Sequence, residues 1–157
     1  MTQPPSLRQQ FRWALSVLRH PQEDTNQTFG IAMDRNGEPI WRDGTGDPNV
    51  MSGTEGPGKG GPGLRKDDPA FRWDLMTTAT QHVEGHTAAV LRKPAAAKEV
   101  TLVVTQEPCD PWPFGCDRIL GAIMPVGSKL DVFVVDSPDA APRYWDTYYG
   151  DGEGVAR

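Results

Sequence analysis

The sequence predicts one α/β domain, with a central mixed sheet of about five strands flanked by helices. Three observations support this prediction. The chain has 157 residues, which is the length of one domain with a single modest core. Segments with helical spacing of apolar residues alternate with short apolar strands. One strand, Glu99–Thr105, is apolar along most of its length, which is typical of a central position in a sheet.

The N-terminal part of the chain predicts a helix, a hairpin and a long loop. A serine cap and apolar residues at helical spacing predict a helix over Ser6–Arg19, which a His-Pro pair then ends. A strand over Thr28–Met33 precedes the turn sequence Asp34–Gly37, so Glu38–Arg42 are expected to form its hairpin partner. Residues 43–69 are dense in Gly, Pro and Asp without any period, and they predict one long surface loop.

The second half of the chain alternates helices and strands. Apolar residues predict a helix over Glu84–Lys93, which a proline ends before the central strand begins. A second helix is expected over Cys116–Met124 and a further strand over Lys129–Val135. The aromatic tail after this strand either adds a final strand or stays partly loose.

We expect the single domain, residues 1–157, to have three parts: an N-terminal helix and linker (1–24), a core (25–135) and an acidic tail (136–157). The net charge is −5, and six acidic residues against two arginines lie from Asp131 onward. A polyanionic partner requires a local basic surface rather than a positive total charge. The residues available for such a surface are Lys59, Arg65, Lys66, Arg72, Arg92, Lys93 and Arg118.

The chain has no apolar run long enough to cross a bilayer. Its first twenty residues lack the apolar centre of a secretory signal peptide, so export is expected to need a dedicated system or an upstream region. The chain contains two cysteines, and in an unexported protein these favour free thiols or a bound metal over a disulfide.

The chemistry-bearing motif is His82-Val83-Glu84, followed by Pro108-Cys109 and then Cys116. One imidazole and two thiolates are the zinc ligands of the deaminases that act on bases, and a glutamate that is not a ligand shuttles protons there. Both cysteines of the chain belong to this motif. The sequence therefore predicts a zinc-dependent hydrolytic deaminase.

The spacing of the motif restricts its geometry. Residues two apart do not share a helix face, so His82 and Glu84 can address one site only if His82 lies at the helix entry. Cys116 is expected to open the next helix, whose N-terminus favours a thiolate. In this mechanism zinc lowers the pKa of water to about 7. Glu84 takes the proton, and hydroxide attacks the base carbon that bears the amino group.

Other interpretations of the same residues remain open. A His-x-Glu sequence occurs by chance, and two nearby cysteines can be buried thiols or a disulfide. Six residues separate Cys109 from Cys116, more than in the compact P-C-x-x-C signature. His82 and His86 are four residues apart and could form a metal pair, but Glu does not directly follow the first histidine as it does in metalloproteases. His86 is better interpreted as a helix residue that packs or hydrogen-bonds nearby.

Several segments around this motif match a known family. They are His82–Ala89, Val100–Val104, Pro108-Cys109, Phe114–Asp117, Leu120–Leu130, the turn at Asn36-Gly37 and the loop Ser52–Pro57. Together they resemble the deaminase domains of bacterial polymorphic toxins, in the group that contains the double-stranded-DNA cytosine deaminase toxin DddA. The resemblance covers residues 25–135.

The resemblance implies a cytidine-deaminase-like α/β sandwich in which His82, Cys109 and Cys116 bind Zn²⁺ and Glu84 shuttles protons. It implies conversion of cytosine to uracil in single- or double-stranded DNA, by an effector used against competing bacteria. Secretion by a dedicated system, activity in the cytoplasm of the target cell and a cognate immunity protein follow from the same resemblance. We also expect a monomer that does not associate with membranes.

Candidate substrate contacts lie in two loops. Trp112 and Phe114, between the cysteines, could act as wedges or stacking platforms for a base that must leave a duplex. Aromatic residues beside prolines can equally cap the core. Ser52 and Gly53 are candidate contacts if the loop of residues 43–69 lines the substrate channel rather than forming a disordered insertion.

Two other functions are compatible with the sequence. One is a deaminase of RNA or of free nucleosides. The other is a binding module without enzymatic activity, in which zinc or a disulfide staples a loop.

Overall fold

The centre of the fold is a five-stranded mixed sheet in the order β2-β1-β3-β4-β5. The computed structural model describes residues 11–21, 27–70, 72–94, 96–107 and 116–156, with the backbone alone for residues 116–118. The strands are β1 (Phe29–Met33), β2 (Val50–Met51), β3 (Glu99–Val104), β4 (Lys129–Val134) and β5 (Arg143–Tyr149). The described α-helices are α1 (Arg12–Val17), α2 (Thr77–Thr80), α3 (Val83–Leu91) and α4 (Cys116–Ile123), and a 3-10 helix covers Trp73–Leu75.

The sheet combines antiparallel and parallel pairing. β1 runs antiparallel to both β2 and β3, and β5 runs antiparallel to β4. β3 and β4 are parallel and are joined through α4, because a parallel pair needs a crossover connection. The predicted α/β class, the sheet of about five strands and the central position of Glu99–Thr105 are confirmed.

Helices cover both faces of the sheet. The larger apolar core lies under α3 and α4, and its fully buried side chains include Leu91, Leu102, Leu120, Ile123 and Leu130. The segment around α1 packs on the opposite face, where Phe11 and Leu18 contact a second cluster that contains Ile31 and Val103. The sheet is therefore the middle layer of a sandwich. Among the described helices, none has both the length and the apolar character needed to span a bilayer.

The prediction of a second hairpin strand over Glu38–Arg42 is wrong. Glu38–Arg42 form no strand: Pro39 makes an isolated bridge with Met33, and the Ile40 N–H donates to the carbonyl of Ala32 at 3.0 Å. Proline has no N–H to continue a ladder, and the chain leaves the sheet edge here. It returns as β2, which pairs with the N-terminal end of β1.

The prediction that residues 43–69 form one surface loop is wrong in part. This segment contributes β2 to the sheet edge and buries Asn49, Val50 and Leu64 almost completely. The Asn49 side chain donates to the carbonyl of Val17 at 2.9 Å, so the segment also holds the end of α1. Local composition indicated a loop because these few buried residues stand among many glycines and prolines.

The other predicted helices and strands lie where expected, with ends shifted by one or two residues. α1 covers residues 12–17 of the helix predicted over Ser6–Arg19. Phe11, Leu18 and Arg19 are not helical, and residues 1–10 lie outside the described ranges. The tail, left open by the sequence, supplies β5. The 3-10 helix and α2 were not predicted, because Thr77–Thr80 is too short to show a helical period.

The C-terminal strap, residues 150–156, fastens the end of α4 to the segment around Leu64. Three of its N–H groups donate hydrogen bonds of 2.9–3.0 Å to the carbonyls of Gly121, Ala122 and Met124. Carbonyls at a helix end lack intrahelical partners and need others. Val155 forms a bridge with Leu64 on the other side of the strap. The strap is therefore an ordered part of the domain, and Gly154 is its buried residue.

Gly154 in the strap tests this packing. A Cβ at Gly154 would lie 2.6 Å from the indole ring of Trp73, so Gly154→Ala should lower the free energy of unfolding by about 1–3 kcal/mol. Gly44→Ala is the matched control, because a Cβ there meets no atom within 4 Å and should change stability by less than about 0.5 kcal/mol. Urea denaturation measures both variants. Equal effects would show that the strap does not pack tightly on Trp73.

Candidate active site

His82 and Glu84 lie at the first turn of α3. His82 is the N-cap residue, with extended backbone angles (φ −76°, ψ 151°), so its side chain leaves the chain before regular helical geometry begins. This is the helix-entry position that the two-residue spacing predicts. Glu84 follows in the first turn and is 4% exposed. The helix N-terminus carries partial positive charge and favours the ionised form of a carboxylate there.

Two glycines bring this turn close to its neighbours. A Cβ on Gly30 of β1 would lie 2.7 Å from the Val83 side chain, so only glycine allows α3 to pack this near the sheet. A Cβ on Gly85 would lie 2.7 Å from the backbone of Ala79 in α2. The turn that carries His82 and Glu84 is therefore fixed between the sheet and α2.

A cavity of about 330 Å³ opens at this turn. It lies where the first turn of α3, the start of β1, the end of β2 and the end of β3 meet. The described residues that line it are Thr28, Ser52, Gly53, Gln81, His82, Val83, Glu84, Gln106 and Glu107. The structure thus brings four of the predicted site residues to one cavity: His82, Glu84, Ser52 and Gly53.

The wall opposite α3 is held by backbone and hydroxyl hydrogen bonds. The Ser52 N–H donates to the Thr28 carbonyl at 2.9 Å, and the Thr28 N–H donates to Ser52 Oγ at 2.8 Å. The Thr28 hydroxyl donates to Gln106 Oε1 at 2.8 Å. On the other side, the Gly53 N–H donates to the Gln81 carbonyl at 2.8 Å. These bonds connect β1, β2 and the end of β3 around the cavity.

Five lining residues were not predicted as site residues: Thr28, Gln81, Val83, Gln106 and Glu107. Thr28 and Gln106 lie at strand ends that become neighbours only when the sheet forms. Gln106 and Glu107 stand between the central strand and Pro108-Cys109, and this position is the one sequence signal that could have identified them. Glu107 Oε1 accepts a 2.6 Å bond from Arg143 of β5.

His82 is suited to bind a metal. It is half-buried, and desolvation lowers its pKa from the ordinary value. The imidazole is therefore neutral at neutral pH and keeps a lone pair that can bind a metal ion. The other predicted ligands cannot be placed: Cys109 and the Cys116 side chain lie outside the described residues, as do Trp112 and Phe114. Within the described part of the chain, no three His, Cys, Asp or Glu side chains are grouped to hold a metal ion.

His86 is not available as a second metal ligand. Its Nδ1 accepts the Gly58 N–H at 2.9 Å, and its Nε2 lies 2.9 Å from the Gly53 carbonyl. Both ring nitrogens are thus occupied by backbone groups in a fully buried position. The His82–His86 metal pair is excluded, and the interpretation of His86 as a hydrogen-bonded helix residue is confirmed.

Four of the seven basic residues considered for a local basic surface have partners in the structure. Three of them pair with acidic neighbours at 3.0–3.1 Å, as Lys59–Glu55, Arg65–Asp67 and Arg72–Asp74. Arg92 is half-buried and donates to the carbonyls of Pro62 and Ile123, and desolvation lowers its pKa to about 10. These four cations do not supply unpaired positive charge at the surface.

A mixed sheet with a helix that enters on His-x-Glu beneath a polar cavity is the arrangement of deaminases of the cytidine-deaminase type. The comparison with known families agrees. A sequence model of the SCP1.201-like deaminase family matches residues 2–148, and the chain belongs to this family. No curated protein matches the chain in sequence.

The buried histidines predict that stability falls with acidification. Burial lowers the pKa of His20, His82 and His86 in the folded state. Below the unfolded-state pKa of about 6.5 the unfolded chain therefore binds more protons than the folded chain. We expect the free energy of unfolding, measured by urea denaturation in chelator-treated buffer, to be lower at pH 6.0 than at pH 7.5. Equal or greater stability at pH 6.0 would contradict the buried neutral imidazoles.

Proposed function

We propose that this domain catalyses zinc-dependent hydrolytic deamination of cytosine to uracil in DNA, as the toxin domain of an interbacterial effector of the DddA group. The observation that carries the proposal is the position of Glu84. It is a nearly buried carboxylate close to His82 on the wall of a polar cavity, in a chain of a deaminase family. Deamination uses such a carboxylate as its proton shuttle, whereas a structural zinc site has no use for it.

The donor set fits Zn²⁺. His82 would supply a neutral imidazole, and Cys109 and Cys116 would supply thiolates. Cys109 follows the cavity residue Glu107 by two positions, and two residues of chain span at most about 7 Å. Cys116 opens α4, where the helix N-terminus favours a thiolate. When bound, Zn²⁺ would supply the Lewis acidity that lowers the pKa of water to about 7.

Glu84 moves the protons of the proposed reaction. It removes a proton from the attacking water and delivers it to the ring nitrogen as the C–O bond forms. It then carries the proton of the new hydroxyl group to the amino group, which leaves as ammonia when the C–N bond breaks. Glu84 is nearly buried and lies in the first turn of α3 on the cavity wall, where a substrate base would bind.

The cavity wall supports binding of a base. A volume of about 330 Å³ lies within the range of small-molecule sites, and a base taken out of its stack enters such a pocket. Ser52 Oγ already accepts the Thr28 N–H, which leaves its hydroxyl proton to donate to a substrate acceptor. Gly53 lies next to it in the same wall.

The biological setting rests on resemblance to the DddA group. The segments His82–Ala89 and Phe114–Asp117 carry that resemblance. They support DNA as the substrate, delivery by a dedicated secretion system, activity in the cytoplasm of a target cell and neutralisation by a cognate immunity protein. Trp112 and Phe114 remain candidate wedges for a duplex.

Glu84→Gln should separate catalysis from metal binding. The variant keeps the volume of the side chain but cannot shuttle protons, so turnover should fall by at least about 10²–10⁴-fold while zinc content stays unchanged. Metal analysis and uracil detection by glycosylase cleavage provide the two measurements. Cys109→Ala is the control and should lose zinc. Activity retained in Glu84→Gln would remove Glu84 from its role, and zinc bound to an inactive wild-type protein would favour the binding module.

The substrate class can be tested on the wild-type protein. We expect conversion of cytosine in a DNA oligonucleotide, and none in a matched RNA or in free cytidine. Matched single- and double-stranded DNA in the same assay determine the strand preference. If free cytidine or RNA were converted as fast as DNA, the proposal of a DNA substrate would be wrong. The protein would then be a deaminase of free nucleosides or of RNA.

A further inference from the structure

The side chain of His86 joins the catalytic helix to the loop on the far side of the cavity. It is completely buried, in the turn of α3 that follows Glu84. Its ring contacts two points of the loop formed by residues 52–58, which is called the cavity loop below. These contacts are the 2.9 Å bonds to the Gly53 carbonyl and from the Gly58 N–H.

The hydrogen bonds determine the tautomer of His86. A backbone N–H can only donate, so Nδ1 must accept the Gly58 N–H and carries no proton. The ring proton is therefore on Nε2, which donates to the Gly53 carbonyl. Burial lowers the pKa of His86, which agrees with a neutral ring that is satisfied at both nitrogens.

The cavity loop is shaped to receive this ring. A Cβ on Gly56 would lie 2.8 Å from Nδ1 of His86, and a Cβ on Gly58 would lie 2.9 Å from the same atom. Gly56 also has a φ of +142°, which side chains rarely adopt. Glycines at these two positions let the loop backbone close over the imidazole.

The same loop supplies part of the cavity wall. Ser52 and Gly53 line the cavity, and Gly53 is the residue whose carbonyl His86 holds. Glu84 projects from the helix that carries His86, two positions earlier. The ring therefore adds a buried link between this wall and the helix that carries Glu84, beside the bond from the Gly53 N–H to the Gln81 carbonyl.

We propose that His86 is a positioning residue, which fixes the Ser52–Gly53 wall relative to Glu84 and thereby determines how tightly the substrate base is held. The proposal rests on the proposed function and adds a residue that touches neither the metal nor the base. Displacement of a wall by about 1 Å can reduce efficiency by up to about 10²-fold.

Two variants of His86 test this role. His86→Leu fills the space without hydrogen bonds, and kcat/KM on an oligonucleotide should fall by about 10-fold or more, mainly through a raised KM, with zinc content unchanged. His86→Gln keeps one acceptor and one donor and should recover most of the loss. Wild-type KM in His86→Leu, or no recovery in His86→Gln, would overturn the proposal.

Thr87→Val is the matched control. Thr87 is adjacent and equally buried, and its hydroxyl donates only within the helix, to the Val83 carbonyl at 2.8 Å. Its loss should lower stability without raising KM. If KM rose as much in Thr87→Val as in His86→Leu, loss of any buried polar side chain in α3 would be enough to weaken substrate binding. That result would also overturn the proposal.

A readout without substrate separates this proposal from the proposed function. Nitrogen-15 NMR of the His86 ring should show the proton on Nε2, and amide exchange at Gly58 should be slow in the wild type and faster in His86→Leu. A proton on Nδ1, or equal exchange in both proteins, overturns the positioning role whatever the activity. If the wild type deaminates no nucleic acid, the proposed function fails, and the exchange comparison still decides whether His86 holds the wall.

Discussion

The first turn of α3 lies nearer to the sheet and to α2 than side chains would normally allow. Gly30 leaves room for Val83 above β1, and Gly85 leaves room for the backbone of Ala79. Contacts between backbone and small groups tolerate little displacement, because protein interiors are packed as densely as organic crystals. The orientation of His82 and Glu84 and the place of the cavity all depend on this close packing.

Burial of α3 on every side also explains the polar arrangement of the site. A buried polar group is costly unless it has partners, and backbone groups supply them for the two polar side chains that follow Glu84 along α3. His86 binds the cavity loop, and Thr87 bonds within the helix. His86 and Thr87 therefore hold the helix and the loop together, whereas His82 and Glu84 line the cavity.

The sequence predicted the elements whose signals are local. The apolar run of β3 indicated a central strand, and the two-residue spacing of His82 and Glu84 indicated a helix entry, because each signal depends only on neighbouring residues. The fold of residues 43–69 was missed since its contacts join distant positions, such as Gly58 with His86 and Leu64 with Val155. The roles of Cys109 and Cys116 stay predictions, because their side chains lie outside the described residues.

The C-terminal strap has a consequence for where the domain ends. The family match stops at residue 148, yet residues 150–156 bind the last carbonyls of α4 and cover Trp73. The unit that folds is therefore longer than the unit that sequence comparison delimits. A polypeptide cut at the matched boundary would leave one end of α4 without its partners. Because Cys116 opens the same short helix, loosening at that end would reach the predicted metal ligand.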